Sequence, residues 1–329
     1  MIDLPAGLTA RPLADDDAAA VAALLAAAEQ VDDTGEYPDA EDRVVAGRGL
    51  DAARDGVAVC DAAGVVVAYA TVTAAATFCG RFSVDLEGRV RPDRRGQGIG
   101  RALLAWQLAR GAAVHTERQP HAPGALTVAV PGAMPPLGSL VRRAGLQPER
   151  WYREMRRPLT DLPDVRAVPG VEMVPFDWDR DDEVRRAHNA AFTRHHGSSE
   201  RDPEAWRSLF TGQRNFRADL SRLAIEDGAV VGYVLAYVFE ADTSARGTRE
   251  VSLGQIGVLP PARGRGIAGA VITEVLRVAV ENDCRTAGLG VDTDNVTGAL
   301  RLYESLGFTP VRSRVAWTLD LPPSAGRRT

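Results

Sequence analysis

The chain contains no lysine; all 39 of its basic residues are arginine. Catalysis through a lysine Schiff base is therefore excluded. So is a Walker-type phosphate loop, whose lysine reaches the phosphates. Cysteine is scarce as well. Cys60, Cys79 and Cys284 lie far apart with no C-x-x-C pair, which excludes a disulfide framework and a zinc ribbon. Each is expected to be a small buried apolar side chain, and no metal is expected. No apolar run reaches the roughly 18 residues of a membrane span. The longest, Ala18 to Ala28, is flanked by acids. The opening "MIDLPAGLTARPL" has no basic region ahead of an apolar core, so no signal peptide is expected and the expected location is the cytoplasm. Positive charge is in deficit: 44 acidic residues give a net charge of −5, which argues against a nucleic-acid partner.

What remains is ordinary for a globular protein: 329 residues, 45% hydrophobic and 25% charged. That length suits two domains. The sequence also occurs twice. "RVRPDRRGQGIGRALL" from Arg89 returns as "GVLPPARGRGIAGAVI" from Gly257, placing Arg95 on Arg263 at an offset of 168. Ala68 falls on Gly232 at an offset of 164, and Gly145 falls on Gly307 at an offset of 162. Offsets that drift so little mean one duplicated unit, and a period this long makes two domains rather than a solenoid. Pro158, Pro163 and Pro169 mark a linker. The seam is expected between Leu162 and Gly170, giving domains 1–162 and 163–329.

Each half reads as a short strand (Leu8 to Pro12; Val171 to Phe176) and amphipathic helices (Asp16 to Ala28; Asp181 to Phe192). A hairpin turning on glycine follows, with the Asp-Gly of "IEDGAVV" as its strongest signal. A further strand then enters a glycine-arginine loop that opens a helix with Ile267, Val271, Val275 and Val278 at helical spacing. Strand, helix and strand complete a mixed α/β domain.

The loop "RGRGIAGA" carries G-x-G-x-x-G at Gly264, Gly266 and Gly269, the fingerprint of a dinucleotide turn. Its repeat, "RGQGIGRA", has Arg101 where the third glycine stands, and prolines separate each strand from its loop. Both features count against a nicotinamide site. Common to both copies are glycines that let backbone N–H groups converge on an anion and a helix N-terminus behind them. Arg265 in one copy, and Arg94 with Arg101 in the other, can add phosphate contacts.

"RRGQGIG" and "RGRGIA" resemble the R/Q-x-x-G-x-G/A signature of the GNAT superfamily of acyl-CoA-dependent N-acetyltransferases, and the resemblance covers nearly all of the chain, twice. The arrangement is similar to the tandem, mycothiol synthase-like acetyltransferases of actinobacteria. The implied fold is two tandem domains, each a mostly antiparallel mixed sheet flanked by helices. The implied cofactor is acetyl-CoA. Its phosphates would lie on Arg263, Gly264, Arg265, Gly266, Ile267 and Ala268, and in the first half on Arg95, Gly96, Gly98 and Gly100. Val258 and Leu259 would offer main-chain bonds to the pantetheine arm.

The halves differ in their last third. "GVDTDNVTGALRLYESLGFTPV" resembles the family's N-x-x-A-x-x-L-Y-x-x-x-G-F block. It departs in one respect, with Asn295 eight residues before Tyr303 rather than seven. The resemblance makes Asn295 a cofactor contact and Tyr303 a hydrogen-bond donor to the leaving thiolate. A phenol near pKa 10 would transfer its proton fully only if that pKa were lowered. Aligning Gly145 on Gly307 puts Val141 where Tyr303 stands, so the first half keeps the loop and lacks the tyrosine. That half either binds acyl-CoA without turnover or serves as a scaffold.

A backbone N–H of "SLGQIGV" is expected to polarise the thioester. Gln255 can orient water or substrate but cannot ionise; Glu250 and Asp292 are the candidate bases, and an amine deprotonated through water needs neither. His195 and His196 point apart on a helix and make a poor metal pair. The acidic stretch "EQVDDTGEYPDAED" is expected to be a solvated loop. The leading reading is an N-acetyltransferase acting on a primary amine of a small molecule, as a monomer or homodimer, with the chemistry in the second half. The alternatives are acetylation of a protein or peptide N-terminus, which an open groove would favour, and a non-catalytic acyl-CoA-binding module.

Overall fold

A computed structural model describes residues 2–46, 51–74, 77–193, 199–293 and 298–323. The chain forms two compact units that are not its two sequence halves. One runs from the N-terminus to Trp151 and resumes at Arg312, and the other is Tyr152–Val311. The linker seam expected from the prolines therefore falls inside the second unit.

The elements of the first half are β1 (Thr9–Pro12), α1 (Ala18–Asp32), α2 (Ala40–Ala46), α3 (Ala52–Asp55), β2 (Gly56–Cys60), β3 (Val66–Ala74), β4 (Phe82–Val90), α4 (Ile99–Arg118), β5 (Gly124–Pro131), α5 (Pro135–Arg143) and β6 (Gln147–Pro158). The second half follows the same strand order. It has β7 (Glu172–Pro175), α6 (Asp181–Phe192), α7 (Pro203–Trp206), β8 (Arg222–Glu226), β9 (Ala229–Tyr237), α8 (Glu240–Arg246), β10 (Glu250–Val258), α9 (Ile267–Glu281), β11 (Thr286–Asp292), α10 (Ala299–Ser305) and β12 (Thr309–Leu321). The helix α8, between β9 and β10, has no counterpart among the described residues of the first half.

The first unit's sheet runs β1-β2-β3-β4-β5-β12, and the second unit's runs β7-β8-β9-β10-β11-β6. Each repeat thus gives its last strand to the other unit. β6 pairs antiparallel with β11 from Tyr152↔Asp292 to Pro158↔Thr286, while β12 pairs with β5 from Arg314↔Pro131 to Leu321↔Gly124. In both sheets the only parallel pair is the one leading away from the loop strand, β4 with β5 and β10 with β11.

The continuous apolar run of β9 explains how helices cover both faces of the second sheet, since alternate residues point to opposite sides. Val234 and Ala236 pack with Val271, Val275 and Leu276 of α9. Tyr233, Leu235 and Tyr237 pack with Val184 and Ala187 of α6 and with Trp206. In the first unit Ala68 and Ala70 face Ile99 and Leu103 of α4, and Tyr69 faces Val21 and Leu24 of α1. The Asp-Gly hairpin forms as expected, with Asp227 and Gly228 both at positive φ (50° and 79°). Two expectations fail. Cys79 is exposed, although Cys60 and Cys284 are buried. The acidic stretch is not a solvated loop: Glu29 and Asp32 lie on α1 at 6% and 5% exposure.

Candidate functional site

In the second unit β10 and β11 pair only from Glu250↔Thr286 to Ser252↔Gly288. Beyond that β10 continues to Val258 and β11 to Asp292, so the two strands part and leave a mouth. At the parting point the β10–β9 register shifts between Leu253 and Gln255, a bulge at Gly254. A bulge takes one residue out of the ladder and re-aims the backbone beside it. Only glycine fits here, because a Cβ would sit 2.5 Å from Cε2 of Tyr237.

The strand leads through Pro260 into the loop. Gly264 and Gly266 take φ of 78° and 86°, where glycine alone is unstrained, and a Cβ at either would meet nothing within 4 Å. Gly266 caps α9. Among the described residues the amides from Gly264 to Gly269 have no protein acceptor. These converging N–H groups in open space fit the pyrophosphate of coenzyme A. The Ile267 side chain is 1% exposed and belongs to the core, so only its amide can serve a ligand; the same holds in part for Ala268. Arg263 donates to the carbonyls of Val258 (3.1 Å) and Ala191 (2.7 Å) and meets no carboxylate among the described residues. Arg265 makes a two-pronged, exposed ion pair with Glu226 (2.6 and 2.8 Å). Leu259 has no N–H to offer pantetheine, because that group donates to Val231 O at 2.9 Å. Val258 is half-buried at the strand end.

Tyr303 lies on α10 at 8% exposure, in the core cluster with Val291 and Leu289, its ring 6.3 Å edge-on from Phe308. Burial pushes its hydroxyl up to about 12, opposite to the lowering that full proton transfer would need. It stays a hydrogen-bond donor. Gln255 and Asp292 lie on the two strands past the point where they separate, flanking the mouth, whereas Glu250 stands at its closed end. Glu250 is also engaged: it takes the Arg156 guanidinium, Arg246 at 3.3 Å and the Thr286 hydroxyl at 3.1 Å. Asn295, His195 and His196 lie outside the described residues.

Two arginines that the sequence gave no reason to single out come from β6, in the first half of the chain. Arg156 pairs with Glu250. Arg157, 5% exposed, donates to the carbonyls of Leu306, Pro158 and Asp161 and so ties down the end of the helix that carries Tyr303. With no carboxylate among these partners, burial lowers its pKa. A basic residue near a helix C-terminus was the available signal, hidden because that residue is 149 positions away.

The first unit repeats the cradle and alters its setting. Gly96 and Gly98 have φ of 74° and 91°, and their amides too find no backbone acceptor among the described residues. Gly100 lies within α4, where a Cβ would touch Leu140 at 3.7 Å. Arg95, however, is held by Asp32 at 2.6 and 2.8 Å, and Arg89 joins the same carboxylate at 3.3 Å. β4 pairs with β3 in unbroken register from Ala68↔Val90 to Ala74↔Val84. Val141, 0% exposed on α5, takes the place of the tyrosine.

The description "Acetyltransferase (GNAT) family" matches residues 182–308. The mycothiol acetyltransferase of Frankia alni is 34% identical over 322 residues, 92% of each chain. That of Mycobacterium sp. (strain JLS) is 32% identical over 90% of this chain and 92% of its own. Among solved structures, a GCN5-related N-acetyltransferase from Sphaerobacter thermophilus superposes with a TM-score of 0.77 at 28% identity over 98% of both chains. A tandem GNAT protein from the clavulanic acid biosynthesis pathway gives 0.69 at 22% identity, over 97% of this chain and 100% of its own. Loop, parted strands and relatives agree: the chain belongs to the GNAT family of acetyltransferases, enzymes that take their acetyl group from acetyl-CoA.

Proposed function

We propose that the second unit transfers an acetyl group from acetyl-CoA to a primary amine of a small molecule. The observation that carries this reading is the coincidence of the Gly254 bulge and Tyr303 at the parted strands of that unit; β4 and β5 of the first unit also part, after Asp85↔Thr127, but their loop strand has no bulge and Val141 stands in place of the tyrosine. The curated relatives, named mycothiol acetyltransferases, support a small-molecule acceptor.

Acetyl-CoA supplies a thioester. Amides from Gly264 to Ala268 hold its phosphates, and Arg263 braces the loop through Val258 and Ala191. A backbone N–H of β10 at the bulge meets the carbonyl oxygen, where negative charge develops as the nitrogen lone pair forms the new C–N bond. The C–S electron pair leaves with sulfur, to which Tyr303 donates a hydrogen bond. The nitrogen gives up its proton through water at the mouth, with Gln255 and Asp292 on either side. Glu250, fixed by two arginines, holds β10 on β11 and β6 instead of acting as base.

Calorimetric titration of acetyl-CoA, with release of the CoA thiol as the rate, tests the assignment. Gly266→Glu places a carboxylate in the second cradle and is expected to abolish binding and cut turnover by more than about 100-fold. Gly98→Glu is expected to stay within about threefold in turnover. Full turnover in Gly266→Glu would sink the reading.

A further inference from the structure

Three buried tyrosines line the α1 or α6 face of the two sheets, and two of them are satisfied. Tyr69 donates to Glu87 at 2.5 Å, and the Tyr233 hydroxyl lies 2.8 Å from Nδ1 of His188. The third, Tyr237, is 7% exposed, and its hydroxyl is buried with no hydrogen-bond partner among the described residues. Its ring is fixed on three sides. Phe216 meets it edge-on at 5.7 Å, Phe239 stacks at 6.5 Å, and the Cδ2–Cε2 edge rests on Gly254. Its Cζ, which carries the hydroxyl, lies 3.5 Å from where a Gly254 Cβ would be. Gly254 is the bulged residue at the mouth and is itself exposed. The ring is therefore held across the bulge, beside the point where β10 leaves β11, with its hydroxyl covered.

An unpaired buried hydroxyl is destabilising, because it gives up its bonds to water without replacement. Phenylalanine would fill the same space among these rings without that cost. A partner that the protein does not itself supply accounts for the hydroxyl.

We propose that Tyr237 contacts the acceptor, donating a hydrogen bond to an oxygen of the acceptor beside its reacting amine. This rests on the reading of the second unit as the acetylating one. It narrows the acceptor to primary amines bearing a neighbouring hydroxyl or carbonyl oxygen. Trp178 and Phe239, at 56% and 38% exposure on this face, extend the aromatic lining toward solvent and suit an acceptor with a ring face.

The test compares trans-2-aminocyclohexanol with cyclohexylamine, which differ by the one oxygen, in wild type and Tyr237→Phe. Wild type is expected to prefer the amino alcohol in kcat/KM by about five- to tenfold, one neutral hydrogen bond. The variant is expected to lose that preference while keeping its acetyl-CoA affinity and melting no lower than wild type. A preference that survives in the variant, or is missing from wild type, overturns the proposal. So does a lowered melting temperature, which would reveal a partner within the protein. If wild type acetylates other amines but neither of these, the proposal falls and the acetyltransfer reading stands. If it acetylates no amine at all, both fall.

Discussion

The two glycine loops have nearly the same backbone, and what surrounds them makes them different. Gly96 and Gly98 match Gly264 and Gly266 in φ to within about 5°, and neither set of amides finds a backbone acceptor among the described residues. Around the first loop, a buried aspartate neutralises Arg95, the loop strand keeps its register, and a valine sits where phenol chemistry would be needed. Around the second, Arg263 is tied to carbonyls, the strand bulges, and a tyrosine faces the core beside the mouth. A phosphate cradle is thus separable from a reacting centre.

The largest way to break this comparison is at the tyrosine. Tyr303→Phe is expected to lower kcat by about 100-fold with the KM for acetyl-CoA unchanged, the usual scale for a lost proton donor. Val141→Tyr, its counterpart, is expected to add no activity, because the first strand has no bulge. Steady-state kinetics with saturating amine check both. Activity appearing in Val141→Tyr, Tyr303→Phe would show the two units to be nearer equals than the geometry says.

A middling effect is expected at Asp32. Asp32→Asn leaves Arg95 and Arg89 without their shared buried carboxylate and should cost about 3 kcal/mol in denaturant unfolding. Turnover at a temperature where the variant is folded should stay within about twofold. A fall in turnover matching that of Gly266→Glu would make the first loop part of the working site.

The smallest effect concerns pH. The folded Tyr303 hydroxyl titrates at about 12, above the ordinary value near 10. Its contribution to stability is complete below pH 10 and is lost as pH rises from 10 toward 12. Activity should show no loss from this group up to pH 10, and Tyr303→Phe should flatten part of the fall in melting temperature above it. A kcat that drops between pH 8 and 9 in wild type but not in Tyr303→Phe would contradict the burial of this ring.

Much of this was legible in the residues. The duplication, the helix at Asp181 to Phe192, the Asp-Gly hairpin and the loop all declare themselves through local rules, and so did the substitution of Val141 for tyrosine. The bulge was only half legible: a glycine inside a strand is its ordinary sign, but "SLGQIGV" holds two, Gly254 and Gly257, and the register shift falls at the first. The destination of β6 was not. "QPERWYREMRRP" has the alternation of an edge strand, and any sheet edge satisfies it. Arg157 stayed hidden for the same reason, since its work depends on which helix it reaches. Tyr237 looked like one more apolar residue in a buried run until its neighbours were known.

The exchanged last strands carry a consequence for the history of such a chain. A gene that has lost activity in one of two copies can ordinarily discard that copy. Here the first copy owns Met155 in the core of the second unit, along with Arg156 and Arg157. A deletion ending at the proline linker would strip the second unit of β6, whereas one ending before Gln147 would spare that strand. Once the strands were traded, neither copy could be lost whole without taking a strand from the other.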